Sequence, residues 1–266
     1  MITRAVRKVD SLLLDSFIQR RLTWLATDEI AAAANSRQAI DEFEQKFEYH
    51  CVNHYDRRWN RLAELCDLHG SDKGQLRVDN HPYDWPAHTY TDYYRTLFDH
   101  CREHVHNVFE CGLGTNNTAF RSNMGIHGRP GASLRVWRDY FPRASVIGAD
   151  IDAGILFTET RIETFQVDQT DPESVADLWR QVTVEAFDLM IDDGLHEFDA
   201  GSCLFENSIH KLAPAGIYII EDVKATDLAS YREFFMSQPY AVDYINLHRP
   251  GMEVENNRLI VIRHGQ

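Results

Sequence analysis

The feature that most constrains the fold of this chain is an apolar segment that ends abruptly in two carboxylates. Phe187–Asp193 reads FDLMIDD, and Gly194 follows it. Gly216–Asp222 reads GIYIIED and ends in the same way. Short apolar runs are typical of buried strands, and open α/β sheets collect their ligand-binding residues at the carboxyl ends of such strands. The two segments therefore predict neighbouring parallel strands that share an acidic edge.

Helix and strand patterns alternate through most of the chain after residue 93. Helical patterns cover Tyr94–His104, Ser133–Phe141, Pro172–Val182 and Gly201–Leu212. Further strand patterns cover His106–Cys111, Ser145–Ala149, Thr164–Val167, Ala241–Leu247 and Arg258–Arg263. The last two have no helix between them and predict an antiparallel hairpin. We therefore predict an α/β fold, a Rossmann-like, seven-stranded and mostly parallel sheet with an antiparallel C-terminal hairpin and helices on both faces.

The N-terminal part of the chain has a different pattern. Apolar residues recur at helical spacing from Val9 to Leu65, and no glycine precedes Gly70. We predict a helical extension over residues 1–68, which serves as an auxiliary domain or joins subunits into a homo-oligomer, and a second domain over residues 69–266. Residues 69–92 combine glycine and proline with histidine and aromatic residues, which indicates an ordered lid loop.

A glycine turn follows the strand predicted at His106–Cys111. Gly112 and Gly114 would let a ligand approach the backbone closely, and Asp150, at the end of the next strand, is placed to bind ribose hydroxyls. NAD and S-adenosylmethionine both fit this layout. NAD normally takes a third glycine and a helix N-terminus at its pyrophosphate, whereas this chain has Asn117 and a long insertion.

The acidic residue before the glycine turn favours S-adenosylmethionine. The carboxylate of Glu110 would repel a pyrophosphate and attract the ammonium group of a methionine moiety. Asp168 and Gln169, at the next strand end, are candidates for the adenine rim. Their alternative role is to cap the helix that follows Pro172.

Four acidic residues are expected at the shared edge of the two acidic strands. Asp192, Asp193, Glu221 and Asp222 would repel one another unless a cation lies between them, and Mg²⁺ prefers oxygen ligands of this kind. The alternative is two helix N-caps with solvated acids. His196 is placed to remove a proton from a hydroxyl group, its alternative being a structural histidine.

Several motifs together resemble class I S-adenosylmethionine-dependent methyltransferases, and most closely the metal-dependent sugar O-methyltransferases of macrolide biosynthesis. The motifs are GSDKG at Gly70–Gly74, His88–Tyr90 with Tyr94 and Phe98, ECGLG at Glu110–Gly114, GASLRVWRDYFP at Gly131–Pro142, GADID at Gly148–Asp152, IDDGLHEF at Ile191–Phe198 and IIEDV at Ile219–Val223. The resemblance covers about residues 62–225.

This resemblance implies a role for each matching residue. It implies Mg²⁺ ligands at Asp193, Glu221 and Asp222, and a catalytic base at His196 that works with Asp193. The residues implied or predicted to bind the cofactor are Glu110, Gly112, Gly114, Asp150, Asp168, Gln169, Asp192, Ser71, Lys73 and Tyr90. The last three belong to the loop and aromatic segment that close over the cofactor.

The implied reaction is methyl transfer from S-adenosylmethionine to a metal-polarised hydroxyl of a small-molecule acceptor. Because the N-terminal extension is shorter than the N-terminal domain of the macrolide enzymes, the acceptor is open among a sugar nucleotide, a glycosylated natural product and a phosphorylated small molecule. Two other classes fit the same sheet, a nicotinamide-dependent oxidoreductase and a non-catalytic binding protein.

The composition of the chain argues against some classes of binding partner. The net charge of −14 argues against nonspecific nucleic-acid binding, because no dominant basic surface can neutralise phosphates. No apolar run approaches the length that spans a bilayer, and nothing at the N-terminus resembles a signal peptide. The five cysteines show no CxxC spacing, which indicates reduced thiols. We therefore expect a cytoplasmic protein with no nucleic-acid or membrane partner.

Overall fold

The computed structural model describes residues 51–54, 59–76, 81–248, 254 and 256–265. The helices predicted before residue 51 lie outside these residues. Within them, no helix is both long enough and apolar enough to cross a bilayer.

A nine-stranded sheet forms the centre of the described chain. Its strands in chain order are β1 (Cys51–His54), β2 (Asn107–Cys111), β3 (Ser145–Asp150), β4 (Thr158–Glu159), β5 (Ile162–Gln166), β6 (Phe187–Asp192), β7 (Leu212–Ile220), β8 (Tyr240–Leu247) and β9 (Arg258–His264). Their order across the sheet is β1-β8-β9-β7-β6-β2-β3-β5-β4. The run β7-β6-β2-β3-β5 is parallel, and β9 pairs antiparallel with both β7 and β8.

Six α-helices accompany the sheet in the described residues. They are α1 (Arg61–His69), α2 (Tyr90–Phe98), α3 (Ala132–Tyr140), α4 (Pro172–Gln181), α5 (Phe198–Ser208) and α6 (Leu228–Met236). Local chemistry sets several of their ends. Asn60 Oδ1 accepts from Ala63 N at the start of α1, and Gly70 ends α1 in the left-handed region. Asp171 caps α4, whose first residue is a proline.

Alternate residues of the central strands feed two apolar cores, one on each face of the sheet. Val108 of β2 packs with α1, α2 and α3, whereas its neighbour Phe109 packs with α4, α5 and α6. Leu189 and Met190 of β6 divide in the same way. This period of two is the pattern of a strand that is buried on both faces. Packing in the two cores therefore fixes the positions of the strands and of their carboxyl ends.

The fold class predicted from the sequence is confirmed, including the parallel sheet, the C-terminal hairpin and the helices on both faces. The strand count is nine rather than seven. The additional strands are β4, which has two residues, and β1, which lies within the range predicted to be helical and pairs parallel with β8. Neither is long enough to give a periodic signal.

Element boundaries differ from the predicted ones by up to six residues, the largest difference being the end of α2 at Phe98 rather than His104. Helix α2 begins at Tyr90 rather than Tyr94, and β7 begins at Leu212 rather than Gly216. The early part of β7 contains Pro214, and the register between β6 and β7 shifts there, so that Phe187 pairs with Leu212 and Leu189 with Ile217. The proposed domain boundary at residue 68 falls inside α1, whose buried face joins one of the two cores. The division into two domains stays a prediction.

Candidate active site

A cavity of about 780 Å³ lies at the carboxyl ends of the central strands. Residues at the ends of β2, β3, β5, β6 and β7 line it, together with parts of the segments 72–88, 114–124 and 254–256. This is the position at which open α/β sheets bind ligands, and the volume is in the range of small-molecule sites. The predicted residues Gly112, Gly114, Asp150, Asp168 and Gln169 all line this cavity.

The glycine turn is packed directly against the end of β6. Gly112 has φ 96°, and a Cβ atom placed on it would lie 2.0 Å from the backbone oxygen of Asp193. Leu113 N donates to Asp150 Oδ2 at 2.7 Å, and Asp152 N donates to Asp150 Oδ1 at 2.9 Å. Burial raises the pKa of Asp150. The turn and the acid at the end of β3 therefore form one rigid wall of the cavity.

No helix directly follows this glycine turn. The chain continues from Gly114 through an irregular segment, in which Phe120 and Met124 line the cavity, and α3 begins only at Ala132. A pyrophosphate site of the Rossmann type depends on a helix N-terminus immediately after the turn. The arrangement that NAD would need is therefore not built here.

Gln169 joins the ends of β5 and β6. Its Nε2 donates to Asp192 Oδ1 at 3.1 Å, and its Oε1 accepts from Leu195 N at 2.8 Å. Asp192 is buried and does not line the cavity, and burial raises its pKa to about 6. Asp168 Oδ1 accepts from the backbone and hydroxyl of Thr170 at 2.9 and 2.6 Å.

Three side chains at the ends of β6 and β7 form a group that could hold a metal ion. One ligand atom from each of Asp193, His196 and Asp222 lies within 4.8 Å of the others. His196 Nε2 is 3.2 Å from Asp193 Oδ1 and 3.3 Å from Asp222 Oδ2. His196 and Asp222 have positive φ angles of 59° and 53°, an unfavourable backbone conformation for non-glycine residues that often marks functional sites.

The histidine of this group has an unusual environment. Its burial disfavours the charged imidazolium, but the carboxylate of Asp222, followed by that of Asp193, outweighs burial and raises the pKa of His196 to about 10. All three side chains line the cavity. An acid–base group and two carboxylates therefore face the same space as the glycine turn.

The other oxygen of Asp222 is held by the predicted lid segment. Tyr90 OH donates to Asp222 Oδ1 at 2.7 Å, and His88 Nε2 lies 3.1 Å from the same oxygen. The rings of His88 and Tyr90 are stacked with centroids 4.5 Å apart. His88 lines the cavity, whereas Tyr90 is buried behind it.

A second, deeper group of charges lies beneath the cavity and centres on Lys73. The Lys73 ammonium forms ion pairs with Glu221 Oε2, with Asp193 Oδ2 at 2.5 Å and with Glu110 Oε1 at 3.1 Å. Tyr94 OH donates to Glu221 Oε1 at 2.5 Å. Burial acts to lower the pKa of Lys73, but the carboxylates of Asp193, Glu110 and Glu221 raise it well above its usual value, so the side chain is charged.

The position of Glu110 differs from the expectation that it faces a cofactor ammonium. Its side chain is fully buried, and its Oε2 accepts from Trp137 Nε1 at 2.5 Å. The cavity lining does not include Glu110, Glu221 or Lys73. The ammonium group that Glu110 contacts in the structure is that of Lys73. Ser71 is buried in the same loop.

The sequence therefore indicates the residues of the site more readily than the side chains that these residues contact. The sequence predicts that Lys73 lies in a segment that closes over a cofactor, and it assigns Tyr94 no role beyond its place in a motif. One sequence pattern could have indicated both Lys73 and Tyr94. The motif GSDKG is followed by two tyrosines four residues apart, Tyr90 and Tyr94, and this spacing puts both hydroxyl groups on one face of α2. That face contacts the Glu-Asp pair after β7.

Comparison with known proteins confirms the resemblance to sugar O-methyltransferases. The chain is 33% identical over 165 residues to the 8-demethyl-8-alpha-L-rhamnosyl tetracenomycin-C 2'-O-methyltransferase of Streptomyces olivaceus, a span of 62% of this chain and 38% of that protein. It is 33% identical over 136 residues to the mycinamicin VI 2''-O-methyltransferase of Micromonospora griseorubida, which covers 51% of this chain and 32% of that protein. The chain therefore matches only about a third of the length of these curated relatives. No protein-family model matches it.

Solved structures confirm the fold. A methyltransferase from the mycinamycin biosynthetic pathway, in complex with Mg and SAH, superposes with a TM-score of 0.55 at 24% identity. The superposition covers 79% of this chain and 56% of that one. The sheet and its surrounding helices are therefore those of a methyltransferase fold.

Proposed function

We propose that the protein is an S-adenosylmethionine-dependent, divalent-metal-assisted O-methyltransferase that acts on a hydroxyl group of a sugar or another small metabolite. The observation that carries this proposal is the common cavity. Asp193, His196 and Asp222 face the same space as the glycine turn and Asp150. The similarity to tetracenomycin and mycinamicin sugar O-methyltransferases supports the reaction class.

The cofactor is assigned to the part of the cavity that β2, β3 and β5 line. Gly112 and Gly114 allow the backbone to approach the methionine portion, Asp150 binds the ribose hydroxyls, and Asp168 and Gln169 border the adenine. Both oxygens of Asp150 already accept one backbone N–H each, and each retains a lone pair for a ribose hydroxyl. The similar mycinamycin-pathway methyltransferase, solved in complex with SAH, supports the same cofactor.

The remaining predicted cofactor residues contribute from beneath the cavity. Glu110, Asp192, Ser71, Lys73 and Tyr90 do not line it, and each is buried. We assign them the task of fixing the strand ends on which the cofactor and acceptor rest. This role replaces direct contact with the methionine ammonium in our proposal for Glu110.

The residues at the acidic edge fit a divalent cation. Carboxylate oxygens of Asp193 and Asp222 lie close enough to share one ion, and His196 Nε2 lies beside them. The resemblance adds Glu221, whose oxygens already contact Lys73 and Tyr94 and retain further lone pairs. When bound, a divalent cation supplies Lewis-acid polarisation of the acceptor hydroxyl. The mycinamycin-pathway methyltransferase, solved in complex with Mg, supports this assignment.

His196 is assigned as the general base. It would remove the proton of the acceptor hydroxyl, and bound S-adenosylmethionine would supply the methyl group to the hydroxyl oxygen and be released as S-adenosylhomocysteine. Most of the rate should come from positioning, because the sulfonium is already activated. The base assignment also requires that the negative charge around His196 be offset, since Asp193 and Asp222 otherwise keep the ring protonated. The proposed activity is therefore expected to depend on a divalent cation.

Direct binding and turnover measurements test the function. Isothermal titration should show binding of S-adenosylhomocysteine and no binding of NAD, because the glycine turn is not followed by a helix N-terminus. Methyl-labelled S-adenosylmethionine should transfer label to a glycoside such as methyl α-L-rhamnopyranoside in the presence of Mg²⁺. NAD binding without S-adenosylhomocysteine binding would overturn the proposal in favour of an oxidoreductase. Cofactor binding with no transfer to any glycoside or phosphorylated acceptor would favour a binding protein.

The acceptor, the oligomeric state and the location of the whole protein complete the proposal. We propose that the acceptor is a small-molecule glycoside, that residues 1–68 join subunits into a homo-oligomer, and that the protein acts in the cytoplasm without nucleic-acid or membrane partners. The acceptor class is supported by the similar proteins, one of which is a rhamnosyl tetracenomycin-C 2'-O-methyltransferase. A phosphorylated small molecule is the alternative acceptor.

A further inference from the structure

We propose that Lys73 is a positioning residue of this site: its ammonium group holds the Asp193 side chain and, through Asp193, sets the orientation of His196. The proposal rests on the proposed function only in what it says about methyl transfer. The contacts that carry it are independent of the reaction.

Lys73 links three adjacent strands from below. Its Nζ contacts Glu110 within β2, Asp193 after β6 and Glu221 after β7, and these strands are neighbours in the order β7-β6-β2. The lysine side chain is 2% exposed, and those of Glu110 and Glu221 are fully buried. Among the described residues, no other lysine or arginine forms an ion pair with these carboxylates. Lys73 is therefore the fixed cation to which the buried carboxylates are matched.

Asp193 transmits this constraint to the cavity. Its backbone N donates to Cys111 O at 2.9 Å, so the main chain is fixed and the side-chain torsions are the remaining freedom. Oδ2 contacts Lys73, and Oδ1 contacts His196 Nε2 at 3.2 Å. Because a carboxylate is rigid and planar, holding one oxygen places the other. Without Lys73, Asp193 would rotate and His196 would keep only its contact with Asp222.

The loop that carries Lys73 is itself anchored. Thr91 N donates to Lys73 O at 3.1 Å, and His88 N donates to Asp72 O at 2.7 Å. Gly74 lies against Thr91, since a Cβ on Gly74 would be 2.1 Å from Thr91 Oγ1. These contacts join the loop to the start of α2, so the ammonium group is delivered by a fixed segment.

The test compares Lys73→Ala with Tyr94→Phe, which is a matched control. Each variant removes one donor to Glu221, but only Lys73→Ala removes the donor to Asp193. With ¹³C-labelled histidine, the His196 ring signal is assigned by its loss in His196→Gln. In Lys73→Ala this signal should move at least half as far as it does in Asp193→Asn, and in Tyr94→Phe it should stay in place. Equal movement in both variants, or none in Lys73→Ala, would overturn the proposal.

Chemical rescue separates the ammonium charge from the volume of the side chain. Lys73→Ala leaves space for n-propylammonium, which has the three carbons and the nitrogen that the substitution removes. Added n-propylammonium should return the His196 signal toward its wild-type position, and 1-propanol of the same size should not. Rescue by both would mean that Lys73 only fills space. If Lys73→Ala does not fold, Lys73→Met combined with Glu110→Gln removes one charge of each sign, and the same His196 shift is expected.

Turnover distinguishes failure of this proposal from failure of the proposed function. In Lys73→Ala, kcat should fall by about 100-fold, with the KM for S-adenosylmethionine within about threefold of wild type, because a misplaced base costs rate rather than cofactor affinity. If wild-type protein transfers no methyl group while the His196 shift is observed, the proposed function fails and the positioning role stands. If wild-type protein is active and Lys73→Ala retains full kcat, the positioning role is wrong.

Discussion

Replacing Gly112 by alanine tests whether the glycine turn and the acidic edge form one rigid unit. Two costs are expected. The first is conformational, because φ is 96° and left-handed backbone costs an L-residue about 1–2 kcal/mol. The second is steric, because the new Cβ would lie 2.0 Å from Asp193 O and 2.5 Å from Asp193 C, both backbone atoms. Forced displacement of packed atoms typically costs about 1–3 kcal/mol. The free energy of unfolding should therefore fall by about 2–5 kcal/mol.

Gly125 provides the control that separates the two costs. Its φ is 69°, and a Cβ placed on it meets nothing within 4 Å. Gly125→Ala should therefore lose only the conformational part, about 1–2 kcal/mol in urea unfolding. Gly112→Ala should also lose methyl transfer, because the displaced backbone is that of Asp193, and Gly125→Ala should keep it. Equal destabilisation of the two variants, or full activity of Gly112→Ala, would refute the argument that the turn holds the acidic edge in place.

Three further predictions concern the chemistry and the buried charges. His196→Gln should bind S-adenosylhomocysteine like wild type in calorimetry but lose about 10²–10⁴-fold in kcat, because it removes the general base; a variant with wild-type kcat would discard that assignment. EDTA should abolish transfer and added Mg²⁺ should restore it, whereas Asp222→Asn should not respond to Mg²⁺; transfer that continues in EDTA would remove the metal from the mechanism. Trp137→Phe should lower the free energy of unfolding by about 1–3 kcal/mol, because it takes the indole donor from the buried Glu110 carboxylate, and no loss in urea unfolding would show that Glu110 finds another donor.

The parts of the fold that sequence analysis predicted are those with local signals. Strands β6 and β7 each end in a short apolar run that is followed directly by two acids, and their parallel pairing follows from the helix between them. Strand β4 has two residues, so no periodic pattern could predict it. Helix α2 begins earlier than predicted because Tyr90 and Thr91, polar in sequence, are buried by tertiary contacts.

The sequence predicts which kinds of charged group form the site, but it does not predict which of these groups pair with each other. The sequence predicts that Glu110 attracts the ammonium group of a methionine moiety, whereas the ammonium group that it contacts in the structure is that of Lys73. Lys73 is 120 residues from Asp193 and 148 from Glu221 in the sequence. No periodic pattern connects residues at such distances, so the ion pairs come only from the assembled fold. A sequence can therefore indicate that charges must be compensated without indicating by which group.

The carboxylates at the acidic edge form two layers, one buried and one at the cavity. This division explains how so many carboxylates can lie close together. In the lower layer, Glu110 and Glu221 have no access to solvent and are matched by Lys73, Trp137 and Tyr94, because a buried charge is tolerated only when it is paired and hydrogen-bonded. In the upper layer, Asp193 and Asp222 each turn one oxygen toward His196, and all three residues line the cavity. Asp193 belongs to both layers, with one oxygen in each. The charge of the buried carboxylates is thereby compensated by groups of the protein itself. The charge at the cavity surface remains available to a cation and an acceptor.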